Sequence, residues 1–120
     1  MKKNFFYYIK KNEFRLPVCS VCESVMWPPI YFCKKCLSSK TMMKHIDREG
    51  KVIEISRSRV DPISVYGLVE LKKAKIRLVG SIIGDQVKTG DRVFLSKCGY
   101  DSNNSIYFEF FDINSNSRFN

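Results

Sequence analysis

Residues 19–36 read CSVCESVMWPPIYFCKKC, two Cys-x-x-Cys hooks with ten residues between them. A Cys-x-x-Cys turn sets two sulfurs to one side, and its backbone N–H groups stabilise thiolate charge. Two such turns supply the four thiolates of a tetrahedral structural zinc. Cys19, Cys22, Cys33 and Cys36 are therefore the expected ligands of one Zn2+ per chain. A redox pair would need only one hook, set at a helix start after a strand, and neither hook has that setting. Disulfides are the other possibility, but five cysteines is an odd number and a secreted scaffold pairs its cysteines evenly. In a reducing cytoplasm the pattern favours zinc. A shell of four sulfurs leaves no open coordination position for a substrate.

The remaining candidates are weaker. Cys98, in LSKCGYDSNN, reads as a small residue at a strand end, and His45, in TMMKHIDREG, as a surface or packing residue. No paired carboxylates, Ser–His or Cys–His arrangement or phosphate-binding glycine loop stands out. The expectation is that the protein is not an enzyme.

The hooks need elements to hold them. Residues 1–16 are expected to form an N-terminal helical segment, with Phe5, Tyr8 and Ile9 on one face and Pro17 ending it. Residues 17–48 form the metal module, with Pro28 and Pro29 stiffening the link between the hooks. Short strands running to and from the hooks would make it a zinc ribbon. Residues 49–113 change character. KVIEISRSRV, SVYGLVEL, KIRLVGSIIG, DRVFLSKC and SIYFEFFDI read as five strands separated by turn residues. That count and spacing fit an OB-fold barrel. Gly67 and Gly80, inside strands, predict bends or bulges. Residues 114–120, NSNSRFN, read as a frayed tail.

The formal net charge is +9. Residues 1–48 carry ten Lys or Arg against three Asp or Glu, and residues 49–120 eleven against nine. The excess therefore sits on the N-terminal part, where it attracts phosphates or an acidic partner surface. No apolar run approaches the ~20 residues that span a bilayer. The start, MKKNFFYYIKKNEFR, lacks the apolar core of a signal peptide. The chain is read as cytoplasmic with no membrane role.

Together, CSVCESVMWPPIYFCKKC, EGKVIEISRSRV, SVYGLVELKKAKIRLVGSIIG and VKTGDRVFL resemble the zinc-ribbon/OB-fold family called domain of unknown function 35. The resemblance covers nearly the whole chain. It implies a mainly β fold: an N-terminal helix, a rubredoxin-like zinc ribbon and a C-terminal five-stranded OB-fold barrel. It also implies a non-catalytic accessory or scaffold protein associating with thiolase-superfamily enzymes, such as acetoacetyl-CoA thiolase and hydroxymethylglutaryl-CoA synthase. Such a protein would contribute to acyl-CoA binding or channelling by raising effective concentration. Members of the family often carry Gly after the second cysteine and Arg after the Pro-Pro pair, where this chain has Glu23 and Ile30.

Residues expected to meet a partner or CoA phosphates are Trp27, Lys34, Lys35, Arg57, Arg59, Lys72 and Lys73. Trp27 could equally pack inside the metal module. Phe5, Phe6, Tyr7 and Tyr8 cannot all bury in one small module, so some should face a partner. The alternative reading is a single-stranded nucleic-acid-binding protein, with Arg57, Arg59, Tyr66, Lys72, Lys73, Lys75 and Arg77 lining a basic groove.

Overall fold

The computed structural model describes residues 4–57, 65–84, 86–103 and 105–113. Arg59, the end of the first expected barrel strand and the tail at 114–120 lie outside the described residues. The chain divides into two compact units, Met1–Ile46 and Asp47–Asn120.

The first unit opens with helix α1, Phe5–Ile9, which buries Phe5 and Ile9. Tyr8 is half-buried. Asn4 caps the helix, its side chain accepting from the Tyr7 N–H at 3.1 Å. The helix is shorter than the sequence predicts and stops well before Pro17. Helices this short have no intrinsic stability, and Asn12 adopts a left-handed conformation with φ 60°. Beyond it Phe14, Leu16 and Val18 are buried, which draws the chain into strand β1, Arg15–Cys19. Pro17 therefore lies inside a strand. It faces Met43 of strand β2, Thr41–His45, in an antiparallel pair. The strands run into the first hook and out of the second, as a ribbon requires.

The second unit is a closed five-stranded barrel. Its strands are β3 (Glu49–Arg57), β4 (Val65–Leu71), β5 (Arg77–Ile83), β6 (Arg92–Tyr100) and β7 (Ile106–Asp112). They pair in the order β3-β4-β5-β7-β6, and β6 returns to β3. Only β5 and β7 run parallel. This is the OB arrangement expected from the sequence. Val52, Val69, Leu71, Leu78, Val93, Leu95 and Phe110 fill the interior.

The bulges fall between Val52 and Glu54 and between Leu95 and Lys97, not at the glycines. The first explains the imperfect alternation of KVIEISRSRV: the extra residue switches which side chains face inward. Gly67 and Gly80 stand opposite each other in a regular β4–β5 ladder. Both point inward, where a Cβ on Gly80 would strike the Phe108 carbonyl and one on Gly67 the Ile82 side chain. Close approach by the neighbouring strand, β5 at Gly67 and β7 at Gly80, rather than bending, is what demands glycine there. Among the described residues no helix is long and apolar enough to cross a membrane.

Candidate metal centre

The two hooks share one backbone design. In the first, the Cys19 N–H donates to the Ser24 carbonyl at 2.9 Å and the Glu23 N–H to the Cys19 carbonyl at 2.9 Å. In the second, Cys33 N–H donates to Ser38 at 2.8 Å and Leu37 N–H to Cys33 at 2.9 Å. Glu23 and Leu37, each following the second cysteine of its hook, both turn left-handed, with φ 64° and 60°. The family's frequent glycine after the second cysteine has a physical reason here, and this chain meets the conformation with Glu23.

The hooks bring four sulfurs together. Cys19 and Cys36 Sγ lie 3.5 Å apart, Cys22 and Cys33 Sγ 3.4 Å apart, and all four lie within 4.8 Å of one another. A tetrahedral Zn2+ with Zn–S of about 2.3 Å needs S–S separations of about 3.8 Å, so the cluster fits the ion. Cys19 and Cys33 are buried, Cys22 and Cys36 exposed. Met26 packs with the two buried cysteines, and Ile30 packs against that cluster.

The donor chemistry points the same way. The N–H groups of Cys22 and Val21 reach the Cys19 sulfur at 3.4 Å each, and the Cys22 N–H chiefly lowers that thiol below its ordinary value. The Ser24 hydroxyl, 3.2 Å from Cys22 Sγ, brings Cys22 down to about 6. At Cys36 the Ser38 N–H favours the thiolate, but the Cys19 sulfur and burial outweigh it and hold the thiol up to about 12. Four crowded sulfurs cannot all ionise beside one another unless a cation sits among them. A divalent ion reverses that balance and deprotonates its thiols. Cys19, Cys22, Cys33 and Cys36 thus hold one structural zinc, whose bound form would tie β1 to β2 through the hooks.

Residues 9–41 match the family described as ChsH2, rubredoxin-like zinc ribbon domain. This segment is a ChsH2-type zinc ribbon. The whole chain is similar in structure to one described as "Ltp2-ChsH2(DUF35) aldolase", with a TM-score of 0.70 and 20% identity over 93% of this chain and 96% of that one. It is also similar to a DUF35-family protein of unknown function from Sulfolobus solfataricus, with a TM-score of 0.62 and 17% identity over 90% of this chain and 81% of that one. A comparison with curated proteins found no match. The matched ribbon and the shared fold agree with the architecture that the sequence resemblance implied.

One expectation is corrected by them. The chain was expected to have no enzymatic role, yet a structure of this fold is described as part of an aldolase. The physical reason is that catalytic groups and binding surface need not lie on one chain. A subunit without an acid–base pair still serves catalysis by positioning substrate or enclosing a shared site.

The other expected residues are scattered. Trp27, beside the ChsH2-type ribbon's Pro-Pro link, is half-buried. It packs with Phe5 and Phe14 at ring separations of 6.0 and 6.1 Å. Phe6 stays exposed, and Tyr7 and Tyr8 are half-buried. Lys34 and Lys35 are exposed within the second hook. In the barrel unit, Lys72 pairs with Glu49 at 3.8 Å, Lys73 with Asp47 at 3.5 Å and Arg77 with Glu70 at 3.1 Å. Arg57 donates to the Val87 carbonyl at 3.0 Å. Cys98 is buried within β6, and burial raises its thiol. His45 ends β2 and is exposed.

The sequence reading does not locate a cleft of about 560 Å3 in the ribbon unit, beside Tyr8, Tyr31 and β2 residues Thr41, Met42 and Met43. The signal for it was TMMKH, a strand with apolar residues on both faces.

Proposed function

We propose that this chain is a cytoplasmic accessory subunit of an enzyme acting on acyl-CoA thioesters, with a thiolase-superfamily enzyme as its partner. The observation that carries the reading is the combination in one chain of a ChsH2-type ribbon and a five-stranded barrel, matched over 93% of its length by the chain of an aldolase assembly. The subunit's contribution is positional. The zinc fixes the hooks, the hooks present Lys34 and Lys35, and the exposed Phe6, Tyr31 and Phe32 supply apolar contact area. Lys34 and Lys35 are the better candidates for CoA phosphates, since Lys72 and Lys73 already have carboxylate neighbours. That pairing also argues against the barrel as a basic nucleic-acid groove.

The test is affinity purification of the full chain from its native source, followed by a salt titration of whatever is recovered. An interface anchored by apolar side chains keeps its affinity in moderate salt, whereas phosphate contacts are lost steeply. A salt-resistant complex with a thiolase-superfamily enzyme is expected. Recovery of nucleic acid without such an enzyme would overturn the proposal and leave the zinc and the fold untouched.

A further inference from the structure

Among the described residues, the two-stranded sheet of the ribbon unit has one edge in use and one open. Beyond the two ends of the β1–β2 ladder, the Ser20 N–H donates to the Lys40 carbonyl at 2.8 Å and the Ile46 N–H to the Phe14 carbonyl at 3.1 Å. Bonded and non-bonded pairs alternate along an antiparallel ladder. Leu16–Lys44 and Val18–Met42 are therefore bonded pairs, while Arg15–His45, Pro17–Met43 and Cys19–Thr41 are not. Pro17 sits where β2 asks for no N–H. By the same alternation Thr41, Met43 and His45 turn both N–H and C=O away from β1. The outer edge of β1 is occupied: Met26 N–H donates to the Pro17 carbonyl and Cys19 N–H to the Ser24 carbonyl, each at 2.9 Å. Among the described residues nothing takes the corresponding bonds along β2.

Three consecutive β2 residues, Thr41, Met42 and Met43, line the cleft of about 560 Å3. Successive strand side chains point to opposite faces, so a cleft touching all three reaches the strand's edge. Met42 and Tyr31, both lining it, are about half exposed, at 51% and 46%. The charge around the edge is one-sided. LSSKTMMKHI, residues 37–46, holds Lys40 and Lys44 and no carboxylate, and both lysines are exposed. Two copies of this strand would bring like charges together, which disfavours self-pairing. An acidic strand would be welcomed.

We propose that the outer edge of β2, Thr41–His45, is a strand-addition site that takes an extended segment of a partner protein, apolar at alternate positions and flanked by acidic residues. Backbone groups of Thr41, Met43 and His45 supply the ladder, Met42 and Tyr31 the apolar contacts, and Lys40 and Lys44 the pairing with acids. Strand addition draws affinity from main-chain bonds and specificity from alternate side chains. The inference deepens the accessory reading, and rests on it for the source of the added strand.

The probe is a synthetic peptide of alternating Val and Thr with Glu at both ends, added to the full zinc-loaded chain. Amide exchange is followed residue by residue. In the free chain the Met42 and Lys44 amides exchange slowly, and those of Thr41, Met43 and His45 quickly. The peptide is expected to slow the latter three by about tenfold or more, and a version N-methylated at alternate amides to have no effect. Met43→Pro removes one outward N–H at a position that β1 does not use, and should weaken peptide binding about tenfold with zinc retained. Should that variant lose zinc, the pair Lys40→Glu with Lys44→Glu decides: it should lose the Glu-ended peptide and gain a Lys-ended one. Equal binding by the N-methylated peptide, or protection confined to other residues, would overturn the proposal. So would protection in the free chain that grows with its concentration, since a second copy would then cover the edge. Failure with the peptide leaves the enzyme-partner reading standing, and failure to recover an enzyme leaves the edge site standing.

Discussion

Glu23 and Leu37 occupy equivalent places in the two hooks: each follows a second cysteine, donates its N–H to the first cysteine's carbonyl at 2.9 Å, and adopts positive φ. An L-residue pays roughly 1–2 kcal/mol for that conformation, while glycine pays its own entropy on folding. Glu23→Gly and Leu37→Gly should each stabilise the ribbon unit by about 0.5–1 kcal/mol. Leu37 is 77% exposed, so little packing is lost with it. Denaturant melts of the zinc-bound chain measure the gain. Destabilisation by both would mean that the left-handed turns do not limit the hooks.

Zinc content is the second prediction. Metal analysis of the purified chain should find one zinc. Cys19→Ser, Cys22→Ser, Cys33→Ser or Cys36→Ser should each lose it and unfold the ribbon, because binding and folding of such a unit are coupled. Cys98→Ser should keep it, since Cys98 is buried in the barrel unit and lies outside the sulfur cluster. Loss of zinc from that variant would refute the ligand assignment.

The paired glycines should respond unequally. A methyl at Gly80 meets the Phe108 backbone, which cannot yield without moving β7, so Gly80→Ala should cost about 1–3 kcal/mol. At Gly67 it first meets the tip of Ile82, a side chain that can rotate, so Gly67→Ala should cost less. Reversed magnitudes in melts of the barrel would contradict the close-approach explanation.

Acid should weaken the barrel unit through two carboxylates. The Glu49 N–H holds Asp47 below its ordinary range, and the Arg92 guanidinium does the same for Glu49. Groups depressed on folding contribute stability that is present above the ordinary carboxylate value of about 4. It is lost as pH falls through their lower folded values. Stability should therefore drop on acidification below about pH 4, and the pair Asp47→Asn with Glu49→Gln should flatten that drop. An unchanged pH profile in the double variant would remove these two groups from the account.

The sequence by itself determined the metal and the barrel. Cys-x-x-Cys spacing is local chemistry, and it specifies four thiolates wherever the hooks meet. Five β-rich runs with turn residues between them left few other ways to bury so many alternating apolar side chains. What only the tertiary structure decided depends on neighbours distant in sequence. Pro17 reads as a helix terminator until β2 lies beside it and leaves its missing N–H unneeded. Gly67 and Gly80 read as bends until the ladder sets them opposite each other and β7 pairs alongside β5 with the Phe108 carbonyl against Gly80. Lys72 and Lys73 read as part of a free positive excess until Glu49 and Asp47 are placed 3.8 and 3.5 Å from them. Side chains such as Met42 and Met43 hint at the cleft beside β2, but that its outer edge takes no bond among the described residues is not written in the sequence, because an unpaired backbone looks the same as a paired one in a list of side chains.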